Sequence, residues 1–220
     1  MDGGASAVAV SPPRFISFEG IDGCGKSTQA ELLARALEAA GARVVRVREP
    51  GGTALGEALR GVLLDSAPGT IGPQAEVHLF AAARAQLLEE VIAPALEAGS
   101  WVIADRFLDS SLAYQGVARG LGIDAVLAAN ATVVDDRLPA LTVLLRVPMD
   151  EATARRSVGD RATDRIEGEG ERLQRRVAAA YDQLAERFPT RIVVIDGVGD
   201  PQRVHQRVWE RVAPLCDGVA

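Results

Sequence analysis

The sequence predicts an α/β fold, with one five-stranded parallel sheet, helices on both faces and a phosphate-binding loop after the first strand. Three observations predict it. Short apolar runs alternate with longer stretches of helical period, the order that builds parallel sheets covered on both sides. The first run leads directly into GIDGCGKST, Gly20 to Thr28, which satisfies G-x-x-x-x-G-K-[ST]. The chain has 220 residues and is 48% hydrophobic, enough for one substantial core.

The elements follow in order. RFISFE (14–19) is the first strand, and STQAELLARALEAAG is the helix after the loop, with Gly41 as its C-cap. RVVRVR (43–48) is the second strand. AEVHLFAAARAQLLEEVIAPALEAG is a long helix, kinked at Pro94. WVIAD (101–105), LTVLLRV (141–147) and RIVVID, beginning at Arg191, complete the five strands. The most loop-like interior stretch is SVGDRATDRIEGEGE (157–171). Between two helices, late in such a chain, it stands where a lid sits (about 156–170); a solvated surface loop has the same composition.

The N-terminal MDGGASAVAVSPP lacks a basic n-region and a long enough apolar run for a signal peptide. It predicts a disordered tail over 1–13, with a single domain over 14–213 and a short tail over 214–220. No run approaches the length of a membrane span. The net charge of −6 argues against a nucleic-acid partner, though a few local arginines can still hold a phosphate. Cys24 and Cys216 are the two cysteines. They make no disulfide framework and predict a cytoplasmic setting.

The loop carries the first chemistry. Its glycines, Gly20, Gly23 and Gly25, let backbone N–H groups turn inward on an anion, and the following helix N-terminus adds positive dipole. Ser27 offers a hydroxyl to Mg²⁺. Lys26 is the only lysine in the chain. A compact ammonium on a flexible stem reaches between β- and γ-phosphates, whereas the planar arginine fork suits another geometry. Ile21, Asp22, Cys24 and Thr28 fill the remaining slots of the ATP-binding loop. Cys24 reads as a small tolerated filler, although a helix N-terminus can activate a thiol. WVIADRF ends a strand on Asp105 and continues into Arg106. Asp105 at a strand's C-terminal end beside a phosphate loop fits a metal-shell role, and Arg106 would project into the crevice above the sheet; the same pair also describes a local salt bridge. A phosphate loop alone does not separate a kinase from a switch.

FEGIDGCGKST, REPGGT (48–53), AEVHLFAAARAQL (75–87), ADRF…SSLAYQGVARG (104–120) and TDRIE (163–167) resemble the successive signature blocks of bacterial thymidylate kinases, in order and spacing. The resemblance covers about residues 14–212. It implies a P-loop nucleoside monophosphate kinase fold with a short lid, and ATP-dependent phosphorylation of dTMP to dTDP in dTTP biosynthesis. It further implies that Arg48 and Arg106 bind the acceptor 5′-phosphate and that Asp22 lies near the acceptor's sugar or a metal-bound water. Phe80 would stack on thymine, Arg84 would hydrogen-bond its edge, and Tyr114 and Gln115 would pack against sugar and base, with Ser110 and Ser111 in the same block. Arg156, Arg161 and Arg165 are the lid arginines that would act at the transferred phosphoryl group, alongside Lys26 and Arg106. The implied cofactor is Mg²⁺, the implied partners are ATP and dTMP, and the implied assembly is a homodimer.

The residues read independently agree. Phe80 and Arg84, at i and i+4, share a helix face. An aromatic plane with a donor-only side chain suits the carbonyl edge of thymine or uracil and disfavours the amino group of cytosine; an amphipathic helix with a core Phe and a rim Arg has the same pattern. A nucleotide phosphate ionises with a second pKa of about 6, so the acceptor needs no general base, and His78 and His205 form no catalytic constellation. Two features depart from the family. Gly23 stands where eukaryotic relatives place an arginine, which shifts that role to the lid, and Arg146 stands where many relatives have Asp. Two rival functions remain: a broader pyrimidine nucleotide kinase, and a P-loop NTPase switch that hydrolyses without an acceptor.

Overall fold

The computed structural model describes residues 14–65, 70–135, 137–157 and 164–216. The predicted tail over 1–13 and Arg161 of the predicted lid lie outside the described residues. The five strands are β1 (Phe15–Glu19), β2 (Val44–Arg48), β3 (Trp101–Asp105), β4 (Leu141–Arg146) and β5 (Ile192–Asp196). They form one sheet in the order β2-β3-β1-β4-β5, and every pairing is parallel. All of β1 is buried, and β4 is buried up to Arg146. Successive strand residues face opposite sides, so both faces of the central sheet are covered, as uninterrupted apolar runs require.

The helices are α1 (Lys26–Ala39), α2 (Ala54–Leu64), α3 (Pro73–Leu87), α4 (Ala93–Glu97), α5 (Leu108–Ser111), α6 (Ile123–Val134), α7 (Met149–Ser157), α8 (Glu171–Arg187) and α9 (Pro201–Cys216). Gly41 follows α1 at φ +86, the left-handed conformation expected just past a helix end. Two expectations need correction. The long central helix begins at Pro73 and is not simply kinked at Pro94. A π-helical turn, Leu88–Ile92, joins α3 to α4, and this wider turn accommodates a proline that has no N–H to donate and whose ring crowds the preceding turn. At the C-terminus, α9 continues through Pro214 to Cys216, so the predicted tail is helical over its first three positions. A second π-helical stretch, Leu112–Ala118, extends α5.

Residues Glu19, Arg48, Asp105, Arg146 and Asp196 end the five strands at one edge of the sheet. Asp105 is in register with Phe18 on one side and Arg48 on the other. Ligands of open α/β sheets bind in the crevice outside this edge, and a cleft of about 1010 Å³ opens there.

Candidate active site

The loop after β1 is fixed by its neighbours. A Cβ on Gly20 would lie 2.5 Å from the Leu145 carbonyl oxygen, and one on Gly23 would lie 2.2 Å from that of Ala152. Both positions have positive φ, so glycine is required on two counts. Gly25 precedes α1 in the left-handed conformation, and no side chain caps this helix; its first N–H groups therefore suit an anion. Lys26 is 7% exposed. It donates to the Gly20 and Ile21 carbonyls at 3.1 and 2.9 Å and lies 3.9 Å from Asp22 Oδ1. Ser27 Oγ donates to Asp105 Oδ2 at 2.5 Å. This pair supplies hard oxygen donors at the cleft wall, the chemistry that suits a divalent cation sharing its shell with phosphates and water.

Arg106 is the hub between this loop and the other half of the cleft. Its φ is +72, a conformation that costs a residue with a Cβ about 1–2 kcal/mol. The backbone is locked there by Arg106 N–H donating to Phe18 O at 3.0 Å and Phe107 N–H donating to Glu19 Oε1 at 2.8 Å. The guanidinium donates to Gly20 O, Ser110 Oγ and Tyr181 OH at 3.2, 3.0 and 3.2 Å, and forms an ion pair with Asp22. Beneath it, Glu19 accepts from Ser110 Oγ at 2.6 Å and from Tyr181 OH at 2.7 Å. Burial and the nearby Asp109 raise the Glu19 pKa. Asp22 also accepts from Gln174 Nε2 at 3.0 Å and Tyr114 OH at 3.3 Å. Burial alone would raise its pKa, but Arg106 and Lys26 outweigh that and hold it below the usual carboxylate range.

Across the cleft stand Phe80 and Arg84 of α3, with Arg48, Ser111, Tyr114 and Gln115. Arg84 is 1% exposed. It donates to Glu49 through Nε at 3.0 Å and Nη2 at 2.6 Å, to Asn130 Oδ1 through Nη1 at 2.6 Å, and to Ser111 Oγ through Nη2 at 3.0 Å. Of its five N–H groups, one on Nη1 has no partner among the described residues. Burial pushes the Glu49 carboxyl up to about 7, although Arg84 pulls the other way. Arg48 pairs with Glu57 at 2.8 Å, and Glu57 also accepts from Gly52 N–H at 2.8 Å.

One continuous cleft thus joins a P-loop to an aromatic-and-arginine pocket. The family model for thymidylate kinase matches residues 18–208. The chain belongs to the thymidylate kinase family. It is 45% identical over 205 residues to a thymidylate kinase of Caldanaerobacter subterraneus subsp. tengcongensis, covering 93% of this chain and 97% of that protein. It is 46% identical over 205 residues to a thymidylate kinase of Rhizorhabdus wittichii, covering 93% and 99% respectively. The crystal structure of thymidylate kinase from Ehrlichia chaffeensis matches with a TM-score of 0.73 at 32% identity, over 91% of this chain and 98% of that one.

Among the residues expected to form a thymidylate kinase site, Asp22, Gly23, Cys24, Gly25, Lys26, Ser27 and Thr28 line the cleft with Arg48, Phe80, Arg84, Asp105, Arg106, Ser110, Ser111, Tyr114, Gln115 and Arg156. Gly20 and Ile21 face Lys26 through their carbonyls instead. Ser111 reaches the cleft as a support for Arg84. Arg165 departs from its expected place. It does not line the cleft, and its side chain bonds Leu63 O and Glu76, both at 2.7 Å. Arg146, the departure from the family's Asp, pairs with Asp182 of α8 and also lies outside the cleft lining. Several contributors escaped sequence reasoning, Glu19, Glu49 and Asn130 among them. Arg155 lines the cleft and ties Cys24 O to Gly197 O at 3.3 and 3.0 Å. Gln174 and Tyr181 reach the site from α8; the available signal was polar Gln174 on that helix's buried face beside Leu173 and Val177.

Proposed function

We infer that this chain is a dTMP kinase, transferring the γ-phosphoryl group of ATP to dTMP to give dTDP and ADP. Membership of the family supports this, and one observation carries it in the geometry. The P-loop and the Phe80–Arg84 pocket open into one cleft, with Arg106 bonded to the loop at Gly20 and Asp22. An enzyme that transfers between two nucleotides needs both halves within reach; a hydrolytic switch has no use for the second.

Each group then has a physical task. The turn of backbone N–H groups and Lys26 hold the donor phosphates. Arg48 and Arg106 hold the acceptor phosphate, and Asp22 keeps the Arg106 guanidinium in place. Phe80 supplies a stacking plane for thymine, and Arg84 supplies a donor to its carbonyl edge. Ser27 and Asp105 would hold Mg²⁺, which neutralises charge on the donor phosphates when bound. Arg156 lines the cleft, which supports it as the arginine that would meet the transferred group, and Arg161 is the other candidate. The acceptor oxygen is already ionised near neutral pH, so the chemistry calls for positioning and positive charge rather than proton abstraction.

A homodimer remains our proposal for the assembly, supported by exposed Leu55 and Val62 on α2; light scattering showing a monomer at micromolar concentration would end it. None of the described helices is long and apolar enough to cross a membrane. The functional test is ADP release with ATP and Mg²⁺ against dTMP, dUMP, UMP, dCMP, dGMP and AMP. ADP release that needs dTMP supports the reading. Release independent of any acceptor would replace it with the NTPase switch.

A further inference from the structure

Arg165 sits between two cleft-lining residues, Asp164 and Ile166, yet its own bonds go elsewhere. Its N–H donates to Leu64 O at 2.8 Å, and Nε donates to Leu63 O at 2.7 Å. These are the closing carbonyls of α2, which lack partners within the helix and favour a nearby cation. Nη2 donates to Glu76 Oε2 at 2.7 Å.

Glu76 is 1% exposed and near the start of α3. It also accepts from Gln115 Nε2 at 2.7 Å and from Arg119 Nε at 3.1 Å and Nη2 at 3.3 Å. Burial alone would raise its pKa, but the bonds from Arg165, Gln115 and Arg119 outweigh that and lower it, so the hub stays charged. Arg119 and Arg165 both face Glu169 as well. Glu76, Phe80 and Arg84 are spaced at i, i+4 and i+8 on α3, along one helix face. A single buried carboxylate therefore joins the helix carrying the base pocket, the Gln115 wall, and the Asp164–Ile166 wall.

We propose that Glu76 and Arg165 form a latch that holds the Asp164–Ile166 wall against the acceptor pocket, making Arg165 a positioning residue that does not touch the transferred phosphoryl group. The identity of the acceptor rests on the dTMP kinase reading; the latch itself rests on the contacts above. The test compares E76Q, R165A and the double variant with the parent, varying dTMP at saturating ATP. Each single variant raises the dTMP KM about tenfold with kcat within about threefold, and the double raises it by clearly less than the product of the singles, as expected for two residues that share a contact. An arginine acting on the phosphoryl group gives the opposite split, a kcat loss of roughly 10³ or more for R165A with KM unmoved, and that result overturns the latch. R165K covers the case in which R165A does not fold. It retains the charge but not the fork that reaches Leu63 O and Glu76 together, so it shows an intermediate KM; normal KM with collapsed kcat overturns the proposal equally. If the parent does not turn over dTMP, the functional reading has failed and the latch is decided by melting temperature. A double lowering clearly smaller than the sum of the singles supports it, and additive lowering refutes it.

Discussion

Replacing Lys26 by arginine keeps the charge and changes only its shape. The Lys26 ammonium is buried, within 3.1 Å of Gly20 O and 2.9 Å of Ile21 O. Arginine would bring a planar group with five donors into a space filled by three. The loop cannot back away to make room. Gly20 is pressed against Leu145 O and Gly23 against Ala152 O, at 2.5 and 2.2 Å from where a Cβ would stand. The guanidinium must therefore sit elsewhere, and the developing charge loses one preorganised donor. Such a loss costs about 2.7–4 kcal/mol, or roughly 10²–10³ in kcat. A coupled assay of ADP release at saturating ATP should show that fall, with the dTMP KM within about threefold because the acceptor pocket is untouched. A melting curve matching the parent guards against misfolding. If K26R keeps kcat within about threefold of the parent, the shape of the cation does not matter at this position.

Three further outcomes follow from the same contacts. G23A should lose about 1–3 kcal/mol of stability, since its methyl meets the α7 backbone at positive φ; denaturant unfolding indistinguishable from the parent would show that α7 yields freely. Asp22 has a lowered folded-state pKa, so its stabilisation is present above the ordinary value of about 3.9 and is lost as pH falls through the lower folded value. D22N should therefore melt below the parent at pH 7, with the gap narrowing below about pH 4; a gap independent of pH would contradict the ionic role. R156A should lower kcat by a large factor, up to roughly 10³, with little change in dTMP KM, and unchanged kcat would leave the role to Arg161.

The fold was legible because its signals are local. Each strand is a short, mostly apolar run, and the loop announces itself through glycines at positive φ, which residues with a Cβ rarely adopt. The π-helical turn at Leu88–Ile92 was not legible in detail: Pro94 signals that the helix must adjust, not how. The site divides the same way. Phe80 and Arg84 are four residues apart, so their shared face can be read from spacing. The meeting of Asp22 with Gln174 spans 152 positions and depends on how α8 packs across the site. Arg165 marks the limit most clearly. Composition places arginines in the segment after α7, but only the packed α2 terminus and buried Glu76 determine which way this one faces.

On the proposed function, Arg84 is the residue that reads a carbonyl on the acceptor base. With four of its N–H groups held by Glu49, Asn130 and Ser111, the guanidinium cannot turn to suit another partner. Cytosine would set an amino donor against the remaining N–H, and a site built around one hydrogen bond rejects the wrong partner strongly. Loss of the thymine methyl is weaker, about 1–3 kcal/mol. The deciding measurement is kcat/KM for dTMP, dUMP and dCMP on the parent and on R84A. The expected order on the parent is dTMP, then dUMP, with dCMP far behind, and R84A narrows the gap between dTMP and dCMP chiefly by losing dTMP activity. Equal use of dCMP and dTMP by the parent would contradict base reading by Arg84 and leave a general pyrimidine nucleotide kinase in its place.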